Sequence, residues 1–218
     1  MTRSEIKSNY SKLLPVLGNA FKTAPLFFPL CEKSEYYELF ANVPQAELQK
    51  SLDDIMWQNK AEWSVSGYLE NRATILKDYP QMVAEGRFYH LGIDIHAPCG
   101  TKLYAPHDCE VVTSKYEEGD GNYGGVVILK CIKDGVVFYI LFGHLNSDKL
   151  PTVGMFLKKG DAFAEFGDMS QNGNWFCHTH LQILTQKAFD EGWESKGYCA
   201  KDEIAMLDDY CPNPFLFL

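Results

Sequence analysis

The chain has 218 residues, 46% hydrophobic and 22% charged, which is an ordinary globular composition and excludes a disordered or fibrous protein. Its formal net charge is -9, from 20 basic and 29 acidic residues, without any run of Lys or Arg. Nucleic acid is therefore not expected as a partner, because a phosphate backbone is bound by concentrated positive charge. The length suits one large domain, or one compact domain with a substantial extension.

The first third of the chain, from about Ser4 to Tyr79, has apolar residues near a 3.6-residue period and is predicted to be helical. A further helix is predicted from Ala61 to Lys77, ending before Pro80, whose ring disfavours helix in the preceding residue. This part carries no recognisable chemical motif. Residues 1–86 are accordingly predicted to form an N-terminal helical extension.

Two apolar stretches near the N-terminus are interrupted by Lys12, Lys22 and prolines. Neither has the unbroken apolar core and small-residue cleavage site of a secretory signal. No run of about 20 apolar residues is long enough to span a bilayer. We therefore expect a cytoplasmic protein without a membrane span, and a periplasmic or secreted one if a signal has been removed.

The seven cysteines are an odd number and include no Cys-x-x-Cys pair. This count argues against a fully paired disulfide framework and agrees with a reducing compartment. Cys177 adjoins His178, so a thiolate ligand or a nucleophile has to be considered there. On a strand, however, Cys177 would face away from the flanking histidine, because successive side chains alternate sides.

From Arg87 onward, short β-branched and aromatic runs are separated by glycine, proline and aspartate, a pattern typical of strands. Lys133-Asp134-Gly135 is a strong hairpin signal between two such runs. The predicted strands are 88–96, 101–104, 109–116, 125–132, 136–143, 162–166 and 179–185. Their spacing indicates an antiparallel β sandwich or barrel over residues 87–186, and residues 187–218 are predicted to wrap the sheet. The predicted fold class is α+β.

His178-Thr179-His180 places two imidazoles on the same face of a strand. The spacing leaves open whether both bind a metal or whether one binds while the other handles protons. A pair of half-exposed histidines on a sheet face is the alternative without chemistry.

His90 and Asp94 are four residues apart, so they share a face on a helix or on a strand, and both side chains can reach one ion. A capped turn with an incidental histidine is the competing interpretation. His96 lies two residues beyond Asp94 and competes as a ligand.

His144 ends the apolar run 138–143, so its ring should emerge where a buried strand ends. A neutral imidazole there suits a general base or a group that stabilises developing charge. A hydrogen-bonded core histidine is the alternative. His107, beside a proline and an aspartate, is predicted to lie on the solvated surface.

In combination, His90-x-x-x-Asp94, Gly143-His144-Leu145 and His178-x-His180 resemble the lysostaphin-type (LytM) zinc metallopeptidases, over about residues 88–184. The resemblance implies a lysostaphin-like β core built as a duplicated hybrid motif. It also implies that Zn²⁺ is held by His90, Asp94 and His180, and that His144 and His178 form the catalytic pair. Three protein ligands leave a fourth position open, as in catalytic zinc sites.

The expected function is thus that of a zinc metalloendopeptidase acting on peptidoglycan-like peptides, or on peptides containing glycine or D-amino acids. Two departures from the family pattern matter: Gln182 replaces a carboxylate that orients a histidine, and Trp175 and Phe176 alter the wall of the groove. Two alternatives therefore stand beside it. One is a latent metal-binding or regulatory module whose N-terminal helices cover the groove, and the other is a zinc hydrolase acting on a cytoplasmic substrate other than peptidoglycan.

Overall fold

A computed structural model of the protein describes residues 1–37 and 42–218. Its helices are α1 (Arg3–Asn9), α2 (Leu48–Gln58), α3 (Pro80–Glu85), α4 (Gln186–Asp190) and α5 (Leu207–Tyr210). Its strands are β1 (Leu26–Phe27), β2 (Ser64–Ser66), β3 (Tyr89–His90), β4 (Ile93–His96), β5 (Lys102–Tyr104), β6 (Cys109–Glu117), β7 (Gly124–Lys133), β8 (Val136–Leu145), β9 (Phe156–Leu157), β10 (Ala162–Glu165), β11 (His178–Thr185) and β12 (Tyr198–Cys199).

A large sheet dominates the described part of the chain. Its strand order is β1-β2-β4-β11-β8-β7-β6-β9, and its neighbours pair antiparallel except for the parallel pair β1–β2. Two small sheets, β10–β5 and β12–β3, accompany it. Each of the seven predicted strands is found, the first of them divided into β3 and β4. The α+β fold class is confirmed.

The hairpin between β7 and β8 forms where the sequence predicts it. Asp134 and Gly135 both have positive φ, 52° and 79°, as a two-residue turn that matches the twist of the strands requires. The turn sets Lys133 opposite Val136, and the two strands pair from there to Gly125 and Leu145. This register carries His144 to the far end of β8, in the middle of the large sheet.

The main core lies between the large sheet and the small β10–β5 sheet. Phe142 of β8 meets Phe163 of β10 with ring centroids 5.1 Å apart, and Leu103 of β5 is fully buried beside them. A second cluster forms where α2 covers the edge of the large sheet: Leu48, Leu52 and Ile55 pack with Phe176. Burying these apolar side chains fixes the helix against the segment that leads into β11.

The helix predicted from Ala61 to Lys77 is wrong. Residues 64–66 form β2, which lies between β1 and β4, and turns follow it. Because β2 pairs with β1 on one edge and with β4 on the other, its backbone groups form hydrogen bonds within the sheet, and the neighbouring Trp63 is completely buried. These tertiary contacts override the local helical pattern. Elsewhere in the first third, α1 and α2 are helical as predicted, whereas Leu26–Phe27 form β1; residues 38–41 lie outside the described residues.

Cys99 and Cys177 form a disulfide between the segment after β4 and the segment before β11. Cys177 is therefore neither a thiolate ligand nor a nucleophile. The other cysteines, Cys31, Cys109, Cys131, Cys199 and Cys211, are free, so the expectation that the cysteines are not fully paired is confirmed.

Helices long and apolar enough to cross a bilayer are not found among the described residues.

Candidate metal centre

Neighbouring strands bring His90, Asp94 and His180 together. Asp94 of β4 is directly opposite His180 of β11, and His90 lies on β3, which leads into β4 through a two-residue connection. Gly92 in that connection is required by space, because a Cβ there would lie 2.6 Å from both Cε1 of His180 and the carbonyl oxygen of Leu181. The ring of His180 thus fits beside the connection only because residue 92 has no side chain.

Three donor atoms of these residues form a compact triangle. Nε2 of His90 lies 2.8 Å from Nδ1 of His180, and Oδ1 of Asp94 lies 3.2 Å from each of these nitrogens. Bonds of about 2.0–2.1 Å to a central ion would place the corners of a tetrahedron about 3.3 Å apart. The triangle therefore has the size of one face of a tetrahedral metal site.

Hydrogen bonds on the far side of both rings fix which nitrogens carry protons. Nδ1 of His90 faces the carbonyl oxygen of Gly67 at 3.0 Å, and Nε2 of His180 faces Oε1 of Gln182 at 2.9 Å. Both oxygens can only accept, so both of these nitrogens donate. Burial lowers the pKa of His90 to about 3, which keeps that ring neutral. The lone pairs of two ring nitrogens and a carboxylate oxygen then face one another and repel. A cation bound between them would remove this repulsion.

A buried arginine holds the carboxylate of Asp94. Nη1 of Arg72 donates to Oδ2 of Asp94 at 2.7 Å, and Nη2 donates to Oε2 of Glu70 at 3.1 Å. Burial alone would raise the pKa of Asp94, but His90 and Arg72 hold it well below its usual range. Oδ2 is thus occupied by the guanidinium, and Oδ1 is left to face the two histidines.

His144 and His178 lie side by side next to the triangle, with ring centroids 4.3 Å apart. Nδ1 of His144 donates to the carbonyl oxygen of Asn172, and Nδ1 of His178 donates to that of Phe176, each at 2.8 Å. Burial lowers the pKa of both rings, so each presents an unprotonated Nε2. Two neutral bases therefore adjoin the donor triangle.

The backbone at His144 is in the left-handed region, with φ of 64°, which is uncommon for a residue other than glycine. Its N–H donates to the carbonyl oxygen of Tyr123 at 2.7 Å, and its carbonyl oxygen accepts from the N–H of Gly167 at 3.0 Å. These bonds hold the strained conformation at the end of β8 and turn the ring toward His178. Such strain is common at functional sites.

The remaining histidines are outside this site. Nδ1 of His96 lies 3.0 Å from Oγ of Ser64, and its Nε2 lies 3.3 Å from Oγ of Ser66, so β2 engages both nitrogens and His96 does not join the triangle. His107 is half-buried, with its ring against Phe138 and its Nε2 bonded to the carbonyl oxygen of Phe217. The prediction that His107 is solvated was therefore wrong.

Two residues that support the centre escape sequence reasoning: Gly67 and Arg72, from the part of the chain that carries no chemical motif. They meet His90 and Asp94 only because the strands β2 and β4 pair, Ser66 lying opposite Asp94. A Glu-x-Arg pair such as Glu70 and Arg72 is an ordinary surface pattern. No local signal would have found them.

The centre opens into a cavity of about 560 Å³. Asp94, His144, His178 and His180 are among the residues that line it. The volume lies in the range of pockets that hold one small ligand.

The described chain thus combines an α+β fold with a buried His-Asp-His donor set and a pair of histidines beside one cavity. Residues 88–191 match the profile of "Peptidase family M23". This part of the chain is therefore similar to that family, the lysostaphin-type peptidases, as the three histidine motifs predict.

Comparison with solved structures gives distant likenesses. The chain is 24% identical to a zinc-containing peptidase from Vibrio cholerae, covering 45% of this chain and 28% of that one, with a TM-score of 0.37. It is 21% identical to the catalytic domain of lysostaphin from Staphylococcus simulans, covering 60% of this chain and 84% of that one, with a TM-score of 0.41. The chain thus spans less than a third of the first of these proteins. A comparison with curated proteins finds no match.

Proposed function

We propose that the protein is a zinc-dependent metalloendopeptidase that hydrolyses peptidoglycan-like peptides, or peptides containing glycine or D-amino acids. The observation that carries the proposal is the convergence of two imidazole lone pairs and one carboxylate oxygen, 2.8–3.2 Å apart, beside two neutral histidines. The match of residues 88–191 to peptidase family M23 supports the class of reaction.

The donor set fits zinc. Two imidazoles and one carboxylate are ligands that zinc accepts in tetrahedral geometry, and three protein donors leave one position for substrate or solvent. His90, Asp94 and His180 would hold the ion, and Gly67, Gln182 and Arg72 would keep their donor atoms aligned. Zinc bound there would act as a Lewis acid that polarises the scissile carbonyl and acidifies water.

The chain's own bases would move the protons. Nε2 of His144 and Nε2 of His178 are the ring nitrogens left for the reaction, because the Nδ1 atoms donate to backbone carbonyls. One neutral ring can accept the proton of the attacking water, and the protonated ring can return it to the leaving amine. Their burial excludes bulk water, which strengthens each of these interactions.

Two measurements on the full chain test the proposal. Metal analysis should give one zinc per chain, and the zinc-loaded protein should cleave glycine-rich peptides or soluble muropeptides, with turnover abolished by a chelator and restored by zinc. His107→Ala, which alters a histidine far from the centre, serves as the control and should keep both properties. Stoichiometric zinc without hydrolysis of any of these peptides, or hydrolysis that survives His178→Ala, would refute it.

A further inference from the structure

One wall of the cavity is built from residues 72–79, which precede the family match. This wall is firmly attached: the backbone N–H of Arg72 donates to the carbonyl oxygen of Phe88 at 2.9 Å, and Leu76 beside it is 2% exposed. Oγ1 of Thr74 donates to Oε1 of Glu32 at 2.8 Å. The wall is thus an integral part of the fold.

A second wall is formed by residues 120–123 and 174–176. The backbone N–H of Gly121 donates to the carbonyl oxygen of Gly173 at 3.0 Å, which joins these two loops. Asn172 braces the second loop from within, because its side chain bonds to both the N–H and the carbonyl oxygen of Trp175 at 2.9 Å. The indole of Trp175 is thereby held toward the cavity.

Two aromatic rings join the walls. Tyr79 stacks on Trp175, with ring centroids 5.8 Å apart and planes inclined by 23°, and both rings line the cavity. The ring of Tyr79 also lies directly against Gly121, where a side chain would collide with it. Gly197 and Tyr198 add a third wall. The aromatic pair therefore bridges two walls of the cavity that opens above the donor triangle.

From this geometry we infer that the protein acts on short soluble peptides, and that it discriminates against the same sequence embedded in a long or cross-linked chain. The inference rests on the proposed function and names its substrate class. A cavity of about 560 Å³ accommodates one small ligand. A polymer strand would need to continue between the cavity walls in both directions from the metal centre, and the Tyr79–Trp175 pair joins two of these walls.

Binding constants test the inference without requiring turnover. Zinc-loaded full-length His178→Ala protein would be titrated with N-acetyl-pentaglycine amide, and then with pentaglycine flanked on both sides by longer soluble segments. The flanked peptide should bind at least about tenfold more weakly. Equal affinity for the two peptides, or tighter binding of the flanked one, would overturn the inference.

A matched pair of variants locates the cause. In the same background, Tyr79→Ala removes one ring of the pair and should bring the two dissociation constants together, whereas Tyr116→Ala removes an exposed tyrosine outside the cavity and should leave their ratio unchanged. If Tyr79→Ala does not fold, the comparison of the two peptides on His178→Ala protein with Tyr79 intact still tests the inference. Turnover is measured separately, on protein with His178 intact. If neither peptide is hydrolysed, the proposed function is refuted. The present inference is decided by the ratio of the two dissociation constants.

Discussion

Arg72 binds Asp94 through a hydrogen bond of 2.7 Å between Nη1 and Oδ2, with both side chains buried. Arg72 also donates to Glu70 through Nη2. In the sequence it precedes residues 88–191, which match the peptidase family. A carboxylate of the donor triangle is thus oriented by the N-terminal part of the chain. This part of the chain belongs to the site.

We predict that Arg72→Met lowers zinc affinity by about 10- to 100-fold, because Asp94 loses the group that orients its carboxylate. The free energy of unfolding should also fall, by about 3–5 kcal/mol, because Asp94 and Glu70 remain as buried charges without their cation. Chelator competition gives the first quantity and denaturant unfolding the second.

Arg3→Met is the control for Arg72→Met. Arg3 pairs with Glu35 on the surface, where both side chains are more than half exposed, so neither measured quantity should change appreciably. Arg72→Lys, which keeps the charge but loses the planar fork, should give an intermediate zinc affinity. Unchanged zinc affinity in folded Arg72→Met protein would contradict the role of Arg72.

Gln182 is the second test of how the donors are aligned. Gln182→Met removes the oxygen that accepts from Nε2 of His180, so the ring is free to turn and present the wrong nitrogen. Zinc affinity should fall by about 10- to 100-fold in a chelator competition. The exposed Gln81→Met is the matched control and should bind zinc normally. Equal affinity in both variants would show that Gln182 does not position His180.

His144→Ala and His178→Ala should separate catalysis from metal binding. Neither side chain belongs to the donor triangle, so each variant should retain one zinc per chain. Each should lose about 10²- to 10⁴-fold in kcat, because the proton acceptor at Nε2 is gone. Metal analysis and peptide turnover on the same samples check both statements. Loss of zinc in either variant would assign that histidine to the metal instead.

Stability should depend on pH through His96. Burial lowers the pKa of His96 to about 3, from 6.5 in an unfolded chain. Between these values the unfolded chain binds a proton that the folded protein does not, so the free energy of unfolding falls as the pH falls below 6.5. One such group contributes about 1.4 kcal/mol per pH unit.

His96→Gln keeps hydrogen-bonding capacity toward Ser64 and Ser66 but cannot titrate. Urea unfolding of the metal-free protein between about pH 5 and pH 7 gives the free energy of unfolding at each pH. Its slope against pH should be smaller in His96→Gln, by the contribution of the one proton that His96 binds on unfolding. An unchanged slope would mean that His96 is charged in the folded protein.

Local sequence patterns predicted the strands within residues 88–191 well. Strands such as β7 and β8 are recognisable because alternation, β-branched residues and the Asp134-Gly135 turn act within a few residues. The spacing of His178 and His180 predicts a shared face for the same reason. The wrong helix over 61–77 shows the limit, because Ser64–Ser66 becomes a strand only when β1 and β4 flank it.

The sequence by itself determined which residues we propose to carry the chemistry: His90, Asp94, His144, His178 and His180 are recognisable from residue type and spacing. Only the tertiary structure decided which nitrogens face one another, that Arg72 supports Asp94, and that Tyr79 meets Trp175 across the cavity. The physical reason is distance along the chain. Pairing and stacking between residues 20 to 100 positions apart depend on strand order and register, which the global burial of apolar surface selects and no short stretch encodes.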